Sequence, residues 1–392
     1  MASITERASC LGTETAFTVL QRAAQLTAAG RDIINLGIGQ PDFPTPAHIV
    51  DAGIKALKDG HHGYTPSGGV LPLKEAVAAD LHRRHGVEIS PEHVQILPGG
   101  KVIIFFSAML LGEPGREIIY PDPGFPIYQS AIAFSGATPR PYPLREDLNF
   151  AFSADDVLER ITEKTSLIIV NSPANPTGGV TPREEIEKLV RGLERHPQVA
   201  IMSDEIYDQL VFSGHTMTSL LDFPEIRDRL IILNGWSKTY AMTGWRLGYA
   251  VWPSSMVEAA DRLAVNIHSC VNAAAQQAAL AALTGPQDCI EEMRQAFERR
   301  AALISQGLNT LPGITCQTPA GAFYAFPNIT GTGISSQSLQ SSLLEEAGVA
   351  LVSGTSFGDM GEGFIRFSCA NSDAAITTAL ERIERWLAEN LA

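Results

Sequence analysis

The sequence has few cysteines and no pattern that would pair them. Cys10, Cys270, Cys289, Cys316 and Cys369 are odd in number and widely scattered, and no Cys-x-x-Cys occurs. Disulfide frameworks and zinc sites depend on paired or closely spaced cysteines, so we expect neither. This usage is typical of a reducing compartment, and we assign the protein to the cytoplasm.

Long apolar runs and an excess of positive charge are also missing. The richest apolar run, residues 102–111, is well short of the roughly 18 residues that a spanning helix needs. Residues 1–12 have no apolar core of the kind that a signal peptide carries. The net charge is −14, whereas nucleic-acid binders usually present a basic face. We therefore expect no membrane and no nucleic-acid partner.

Several common functional signatures are absent. Neither a Gly-x4-Gly-Lys-Ser/Thr loop nor a Gly-x-Gly-x-x-Gly fingerprint occurs. Residues 354–358, Gly-Thr-Ser-Phe-Gly, match the nucleophile elbow of hydrolases, but that fold needs a later histidine and the last one here is His268. His82 and His85 lie among arginines, which indicates a solvated helix face, so we predict no metal site.

The chain does contain strand-like and helical segments that alternate over residues 46–283. The predicted strands are 94–97, 117–120, 166–170, 200–203, 230–233 and 247–251, and the predicted helices include 71–84, 102–111, 182–195, 255–266 and 273–283. Such alternation predicts an α/β fold with a mostly parallel sheet and helices on both faces. Polar turns follow several strands, and ligands of open α/β sheets bind at that edge.

A length of 392 residues exceeds what one hydrophobic core usually holds. We predict three parts: an N-terminal segment, 1–46, that belongs to a small domain; a large domain, 47–285; and a linking helix with the rest of the small α+β domain, 286–392. The small part is predicted to contain helices at 14–28, 286–308, 336–346 and 374–389, and strands at 322–326 and 364–368.

The most specific signal is residues 234–249, Asn-Gly-Trp-Ser-Lys-Thr-Tyr-Ala-Met-Thr-Gly-Trp-Arg-Leu-Gly-Tyr. Lys238 lies between small and hydroxyl residues, and Arg246 follows eight positions later. A lysine can hold an aldehyde cofactor as a Schiff base, and the donor fork of an arginine suits a phosphate. Such a pair alone more often belongs to a surface loop, so support must come from elsewhere in the chain.

Three polar residues follow predicted strands. Asp204 ends an apolar strand, where a carboxylate is costly unless a cation meets it; a protonated pyridine nitrogen would be such a cation, and helix capping is the alternative. Tyr207 follows three residues later. Asn175 lies in Asn-Pro-Thr-Gly, which is either a plain tight turn or, together with Tyr207, the donor pair for the phenolic oxygen of a pyridoxal ring.

Further positions fit a phosphate-bearing ring and an acidic substrate. Gly100 and Lys101 begin an apolar helix, whose bare amides form either a phosphate seat or an ordinary turn. Phe125 is either a stacking ring or a core residue, and Tyr64 is a hydroxyl in a polar loop. Arg366 interrupts an apolar strand, where its partner is either a substrate carboxylate or a structural carboxylate.

Taken together, these elements closely resemble the class I/II aminotransferases of pyridoxal-phosphate (PLP) fold type I, the aspartate aminotransferase family. The resemblance covers about residues 35–368. The motifs that carry it are Leu-Gly-Ile-Gly-Gln-Pro-Asp-Phe at 36–43, Tyr-Thr-Pro-Ser-Gly at 64–68, Asn-Ser-Pro-Ala-Asn-Pro-Thr-Gly at 171–178, Ser-Asp-Glu-Ile-Tyr at 203–207, Ser-Lys-Thr-Tyr-Ala-Met-Thr-Gly-Trp-Arg at 237–246, and Arg366.

The resemblance implies PLP as cofactor, a homodimer with shared active sites, and a role for each residue named above. Around the ring, Lys238 would carry the internal aldimine, Asp204 would meet the ring nitrogen, Tyr207 and Asn175 would hold the phenolic oxygen, and Phe125 would stack on the ring. The phosphate would be held by the amides of Gly100 and Lys101 with Ser237 and Arg246, and Tyr64 would reach it from the other subunit. The substrate would be held by Arg366, Asn175 and Gly39. Two departures are Gly235, where many relatives have a phosphate-binding serine, and Phe125, often Trp or Tyr.

The function expected from the resemblance is a ping-pong transfer of an amino group from an L-amino acid to a 2-oxo acid. Two alternatives stay open: a carbon–sulfur β-lyase on the same scaffold, which would release ammonia and pyruvate without an acceptor, and a non-catalytic PLP-binding protein. The preferred side chain of the substrate is not predicted; Phe17 and Tyr324 are candidates to shape the pocket.

Overall fold

The computed structural model describes residues 3–12 and 15–391. Over these residues the α-helices are α1 (Glu6–Ser9), α2 (Thr15–Ala28), α3 (Ala47–Lys58), α4 (Leu71–His85), α5 (Gly100–Leu111), α6 (Ile127–Ser135), α7 (Ala154–Leu158), α8 (Arg183–Leu193), α9 (Trp236–Thr239), α10 (Ser254–Ile267), α11 (Ala273–Thr284), α12 (Asp288–Leu308), α13 (Ser336–Ser342) and α14 (Asp373–Asn390). The strands are β1 (Ile34–Asn35), β2 (Val94–Leu97), β3 (Glu117–Asp122), β4 (Thr138–Pro143), β5 (Thr165–Asn171), β6 (Ala200–Asp204), β7 (Leu230–Gly235), β8 (Gly248–Val251), β9 (Tyr324–Ala325), β10 (Val349–Ala350), β11 (Val352–Ser353) and β12 (Ile365–Ser368).

A seven-stranded sheet forms the centre of the molecule. Its strand order is β2-β8-β7-β6-β5-β3-β4. Strand β8 runs antiparallel to both neighbours, and the other neighbouring pairs are parallel. The prediction of an α/β fold with a mostly parallel sheet is therefore confirmed.

Both faces of this sheet are buried, because successive side chains of a strand point to opposite faces. On β6, Ile201 belongs to one hydrophobic core and Met202 to another. The first core includes residues of α4, α8 and α11, and the second includes residues of α5, α6 and α10. The near-continuous apolar runs in the sequence follow from this two-sided burial.

A separate core lies around two smaller sheets. Strands β11, β12 and β9 form an antiparallel sheet, and β1 pairs in parallel with β10. Their side chains pack with α12 and α14 around Phe297, Phe323 and Ile376. Helix α2 adds Val19 and Leu26, which pack against Leu344 and Ala350.

The element boundaries differ from the sequence predictions at a few points. Strand β4, at one edge of the central sheet, was not predicted, because its sequence Thr-Pro-Arg-Pro-Tyr-Pro contains three prolines. Proline cannot donate a ladder hydrogen bond and occurs in sheets mainly on edge strands. The helix predicted at 336–346 ends at Ser342 and continues as a π-helix, Leu343–Ala347. The predicted start of the first long helix, residue 14, lies outside the described residues, as do residues 1, 2, 13 and 392 of the predicted domains. In the part of the chain that is described, no helix combines the length and apolarity needed to cross a membrane.

Candidate active site

A cavity of about 570 Å³ opens at the carboxyl ends of β5, β6 and β7. The predicted site residues that line it are Gly39, Gly100, Lys101, Phe125, Asn175, Asp204, Tyr207, Ser237, Lys238, Arg246 and Arg366. Phe17 and Tyr324, the two candidates for shaping the pocket, line it as well. Tyr64 does not, and it is 93% exposed.

Lys238 projects into the cavity from α9, the short helix that follows β7. Its Nζ donates a hydrogen bond to the carbonyl oxygen of Gly39 at 2.5 Å. The same nitrogen lies 5.9 Å from the ring centroid of Tyr207 and 5.6 Å from that of Phe323. An ammonium group over aromatic rings is attracted by their electron-rich faces, so the amine is held inside the cavity.

Asp204, the last residue of β6, is buried in the cavity wall. The hydroxyl of Tyr128 donates to its Oδ2 at 2.6 Å, and the backbone N–H of Ile206 donates to its Oδ1 at 3.2 Å. Burial raises the pKa of Asp204 to about 6, although these two donors and the positive charge of Lys238 act in the opposite direction. A further cation beside this carboxylate would favour its ionised form.

Two residues that shape this wall were not assigned a role from the sequence. Tyr128 lies three residues after Phe125 and reaches Asp204, as described above. Asn171 donates from Nδ2 to the backbone oxygen of Asp204 at 2.9 Å, and its Oδ1 accepts the N–H of Asn175 at 2.9 Å. Asn171 begins one of the recognised motifs, and Tyr128 follows a turn, but only the fold shows that both face Asp204.

Tyr207, Asn175 and Arg366 form the side of the cavity that faces the smaller sheets. The hydroxyls of Tyr207 and Tyr324 are 2.9 Å apart. Burial, with Tyr324 close by, raises the pKa of Tyr207 well above its usual value, so its hydroxyl keeps its proton at neutral pH. Arg366 donates from Nη1 to Asn175 Oδ1 at 2.9 Å and from Nη2 to the carbonyl of Gly37 at 2.6 Å. The bond to Oδ1 directs the Nδ2 donors of Asn175 elsewhere.

A glycine-rich turn and Arg246 form the opposite end of the cavity. Helix α5 begins at Gly100, and its first turn presents N–H groups that have no acceptor within the helix. Arg246 has a positive φ of 56°, and its Nη1 donates to the carbonyl of Thr243 at 2.7 Å. A Cβ at Gly99 would overlap Nη2 of Arg246. The guanidinium and the helix start therefore lie side by side, as an anion site requires.

Gly235, the position at which many members of the resembling family have a serine, is closed to larger side chains. A Cβ there would lie 2.7 Å from Cα of Gly248 and 3.0 Å from the carbonyl oxygen of Leu247. Contacts this short require strand β8 to move. The departure from the family pattern is therefore built into the packing of β7 against β8.

An aromatic wall completes the cavity. Phe125 meets the ring of Tyr128 edge to face, with centroids 5.8 Å apart. The Nζ of Lys101 lies 5.6 Å from the centroid of Phe125 and 5.3 Å from that of Phe17. The side chain of Lys101 thus places a positive charge among apolar rings, at a different point from its backbone N–H at the start of α5.

These residues fit pyridoxal phosphate. The cavity volume is within the range usual for cofactor pockets; an amine, a buried carboxylate and an anion cradle line it, and Phe125 offers an aromatic face. Among the described residues no group of three or more His, Cys, Asp and Glu is arranged to hold a metal ion.

The chain is similar to known proteins over nearly its whole length. Residues 31–383 match the family model described as aminotransferase class I and II. An aspartate aminotransferase of Geobacillus stearothermophilus is 39% identical over 390 residues, 98% of each chain. The crystal structure of the aspartate aminotransferase from Rhizobium meliloti has a TM-score of 0.94 at 32% identity and covers 99% of both chains. That of Thermus thermophilus aspartate aminotransferase with maleate has a TM-score of 0.93 at 32% identity, over 98% of this chain and 100% of that one.

This chain belongs to the aminotransferase class I and II family and is a PLP-dependent aminotransferase, which moves an amino group from an amino acid to a 2-oxo acid.

Proposed function

We propose that Lys238 is the residue of this aminotransferase that binds PLP covalently and then moves the proton of the substrate α-carbon. The observation that carries this proposal is that the Lys238 amine and the buried Asp204 carboxylate line one cavity and interact electrostatically. PLP, when bound, supplies an electron sink for the carbanion formed at the α-carbon. A positioned base such as the Lys238 amine typically contributes about 10²–10⁴-fold to such a proton transfer.

Asp204 would hold the ring nitrogen of PLP in this proposal. Its carboxylate keeps the pyridine nitrogen protonated, because a buried carboxylate is stabilised by an adjacent cation. Tyr128 orients the carboxylate through its 2.6 Å hydrogen bond. Tyr207 and Asn175 donate to the phenolic oxygen, and the raised pKa of Tyr207 keeps it a donor.

The phosphate in this proposal binds at the start of α5. The backbone N–H groups of Gly100 and Lys101 and the side chains of Ser237 and Arg246 surround that end of the cavity. Negative charge is favoured at a helix N-terminus, and a guanidinium matches phosphate oxygens. Since Gly235 cannot supply a hydroxyl, Arg246 and Tyr64 contribute more to phosphate binding than they would beside a serine at that position.

The amino substrate in this proposal binds through its α-carboxylate to Arg366, with Asn175 and Gly39 beside it. We propose that the preferred substrates have an acidic side chain, because the ammonium group of Lys101 lies in the aromatic part of the cavity. The proteins named above as relatives are aspartate aminotransferases, which supports this choice. In a ping-pong exchange the donor and the acceptor occupy the cavity in turn, so the same Arg366 site binds the α-carboxylate of both.

Exchange of Lys101 for methionine tests the acidic preference. The backbone N–H is unchanged by this substitution, so PLP binding is expected to persist. Loss of one charged hydrogen bond, about 1.5–3 kcal/mol, should lower kcat/KM for aspartate about 10–150-fold and that for alanine less than threefold. The exposed Lys58, exchanged for methionine, is the control. Equal losses for aspartate and alanine would show that Lys101 does not recognise the side chain.

We also propose that the enzyme is a homodimer of the cytoplasm. A tyrosine that is 93% exposed, Tyr64, is available to a second subunit, and Cys270, Cys289, Cys316 and Cys369 are free thiols, as is usual in a reducing compartment. We retain the division into residues 1–46, 47–285 and 286–392 as a proposal. It is supported by two cores, one drawn mainly from residues 47–285 and one drawn mainly from residues 286–392, although Phe326, Val352 and Phe357 join the first and Tyr207, Leu210 and Phe212 join the second.

A further inference from the structure

Two segments meet beside the cavity at a contact to which the roles above give no function. We call them the 122–126 turn, which begins at the last residue of β3, and the 354–361 loop, which follows β11. The N–H of Gly124 donates to the carbonyl of Phe357 at 2.7 Å, and the N–H of Met360 donates to Oδ1 of Asp122 at 3.2 Å. Asp122 is buried. A side-chain carboxylate from the central sheet is thus bonded to the backbone of a loop from the smaller sheets.

The 354–361 loop is shaped to enclose this carboxylate. Gly358 has a φ of 128°, and a Cβ at that position would overlap both the Oδ1 and the carboxyl carbon of Asp122. Only glycine combines this φ with so close an approach. Burial raises the pKa of Asp122 to about 6, while the N–H groups of Met360 and Asp359 oppose that rise. Above that pH the group is ionised and accepts these bonds strongly.

The 354–361 loop also carries a ring that packs on the substrate arginine. The guanidinium carbon of Arg366 lies 4.6 Å from the ring centroid of Phe357 and 4.5 Å from that of Tyr324. The edge of the guanidinium is held by Asn175 and Gly37, as described above. Phe357 itself is buried. The orientation of the guanidinium therefore depends on where the loop holds this ring.

We propose that Asp122 is a positioning residue for substrate binding: by fixing the 354–361 loop it holds Phe357 against Arg366 and so sets the affinity for the α-carboxylate. This inference rests on the proposed role of Arg366. Asp122 acts through backbone N–H groups and a ring, and its substitution should change substrate affinity while leaving PLP binding and the chemical step nearly unchanged.

The test compares Asp122→Asn, Asp122→Ala and Gly358→Ala with wild type. KM for the amino donor and Kd for maleate, used as a dicarboxylate probe, should rise about tenfold in Asp122→Ala, since charged hydrogen bonds are lost. Asp122→Asn keeps an uncharged acceptor, so KM and the maleate Kd should rise less than in Asp122→Ala. Gly358→Ala keeps the Asp122 carboxylate but pushes the 354–361 loop away from it, so KM and the maleate Kd should also rise. In all three, kcat and the Kd for PLP should stay within twofold of wild type.

Two further variants complete the design. Met360→Gln changes an exposed side chain of the same loop, keeps the N–H that donates to Asp122, and should leave KM unchanged. Arg366→Gln should raise KM and the maleate Kd by more than any Asp122 variant. If Arg366→Gln raises both constants while the folded Asp122→Asn and Gly358→Ala proteins match wild type, the positioning role of Asp122 is refuted and the proposed role of Arg366 is retained. If Arg366→Gln has no effect on either constant, the proposed role of Arg366 and the positioning role of Asp122 are both refuted. Parallel loss of PLP affinity and substrate affinity would mean a general structural role and would also refute the inference.

Discussion

Asp204 is the residue at which burial and function conflict most directly. A carboxylate at the end of a buried strand destabilises the folded protein unless a cation is present. In the protein without cofactor, its pKa is raised from 3.8 to about 6, chiefly by burial. The folded state then binds the proton more tightly than the unfolded state, so the group's contribution to stability is present below about pH 4. It is lost as the pH rises through about 6.

Exchange of Asp204 for asparagine should remove this dependence. Two pKa units correspond to about 3 kcal/mol. As the pH rises from 4 to 8, the cofactor-free wild type should therefore lose up to about 3 kcal/mol in the free energy of unfolding that the cofactor-free Asp204→Asn variant keeps. Urea unfolding at both pH values measures this difference, with Asp51→Asn, an exposed position, as control. The same variant loaded with PLP should lose transamination by orders of magnitude. An unchanged pH dependence of stability would contradict the buried, ionisable carboxylate.

Residues of the site could be predicted where sequence motifs are dense. Lys238, Asp204, Asn175 and Arg366 were proposed from local patterns and a family resemblance, and they line one cavity. Tyr128 and Asn171 carry no local signal of their own. Their contacts with Asp204 arise because Asn171 ends β5, the neighbour of β6, and because α6, which carries Tyr128, follows β3, the next strand beyond β5. No local pattern encodes this strand order.

Helix α5 shows how an element can supply chemistry through its backbone. It begins directly after Gly99, whose φ is 92° and whose missing side chain leaves room for Arg246. At Gly86, after α4, φ is 67° and a Cβ would meet nothing within 4 Å. The two glycines therefore share a positive φ, but Gly86 is left-handed with a ψ of 18° whereas Gly99 is extended with a ψ of 164°, and they differ in what surrounds them.

This pair allows a matched experiment. Both substitutions should be destabilising because alanine disfavours positive φ, by about 1–2 kcal/mol for Gly86→Ala and by more, about 3 kcal/mol, for Gly99→Ala, whose backbone region is nearly restricted to glycine. Only Gly99→Ala should weaken PLP binding, by about tenfold, since it displaces Arg246. Thermal unfolding and titration with PLP separate the two effects. Equal PLP affinities in the two variants would remove the start of α5 from the proposed phosphate site.

The elements themselves were largely predictable because burial of both sheet faces gives apolar runs with clear ends. Strand β2 was predicted at its observed bounds, and α5 differs by two residues at its start. Strand β4 was missed because its three prolines contradict strand propensity, yet as an edge strand it needs fewer ladder donors. Edge position depends on topology, which the local sequence does not contain.

At the scale of the whole molecule, the proposed homodimer makes a quantitative prediction. Mixing Tyr64→Phe and Lys238→Ala subunits in equal amounts gives half heterodimers, each with one complete site if Tyr64 acts in the other subunit. Activity should then recover to about a quarter of the wild-type level per subunit. Subunit exchange is verified by native mass spectrometry. No recovery in verified heterodimers would place Tyr64 outside the neighbouring site.

The central claim is that one amine, that of Lys238, binds the cofactor. Reduction of the holoenzyme with borohydride, followed by proteolysis and peptide mass mapping, measures this directly. We expect the mass of the reduced cofactor on the peptide that contains Lys238, and no label in Lys238→Ala. A label on Lys101, which also lines the cavity, or on any other lysine would contradict the account.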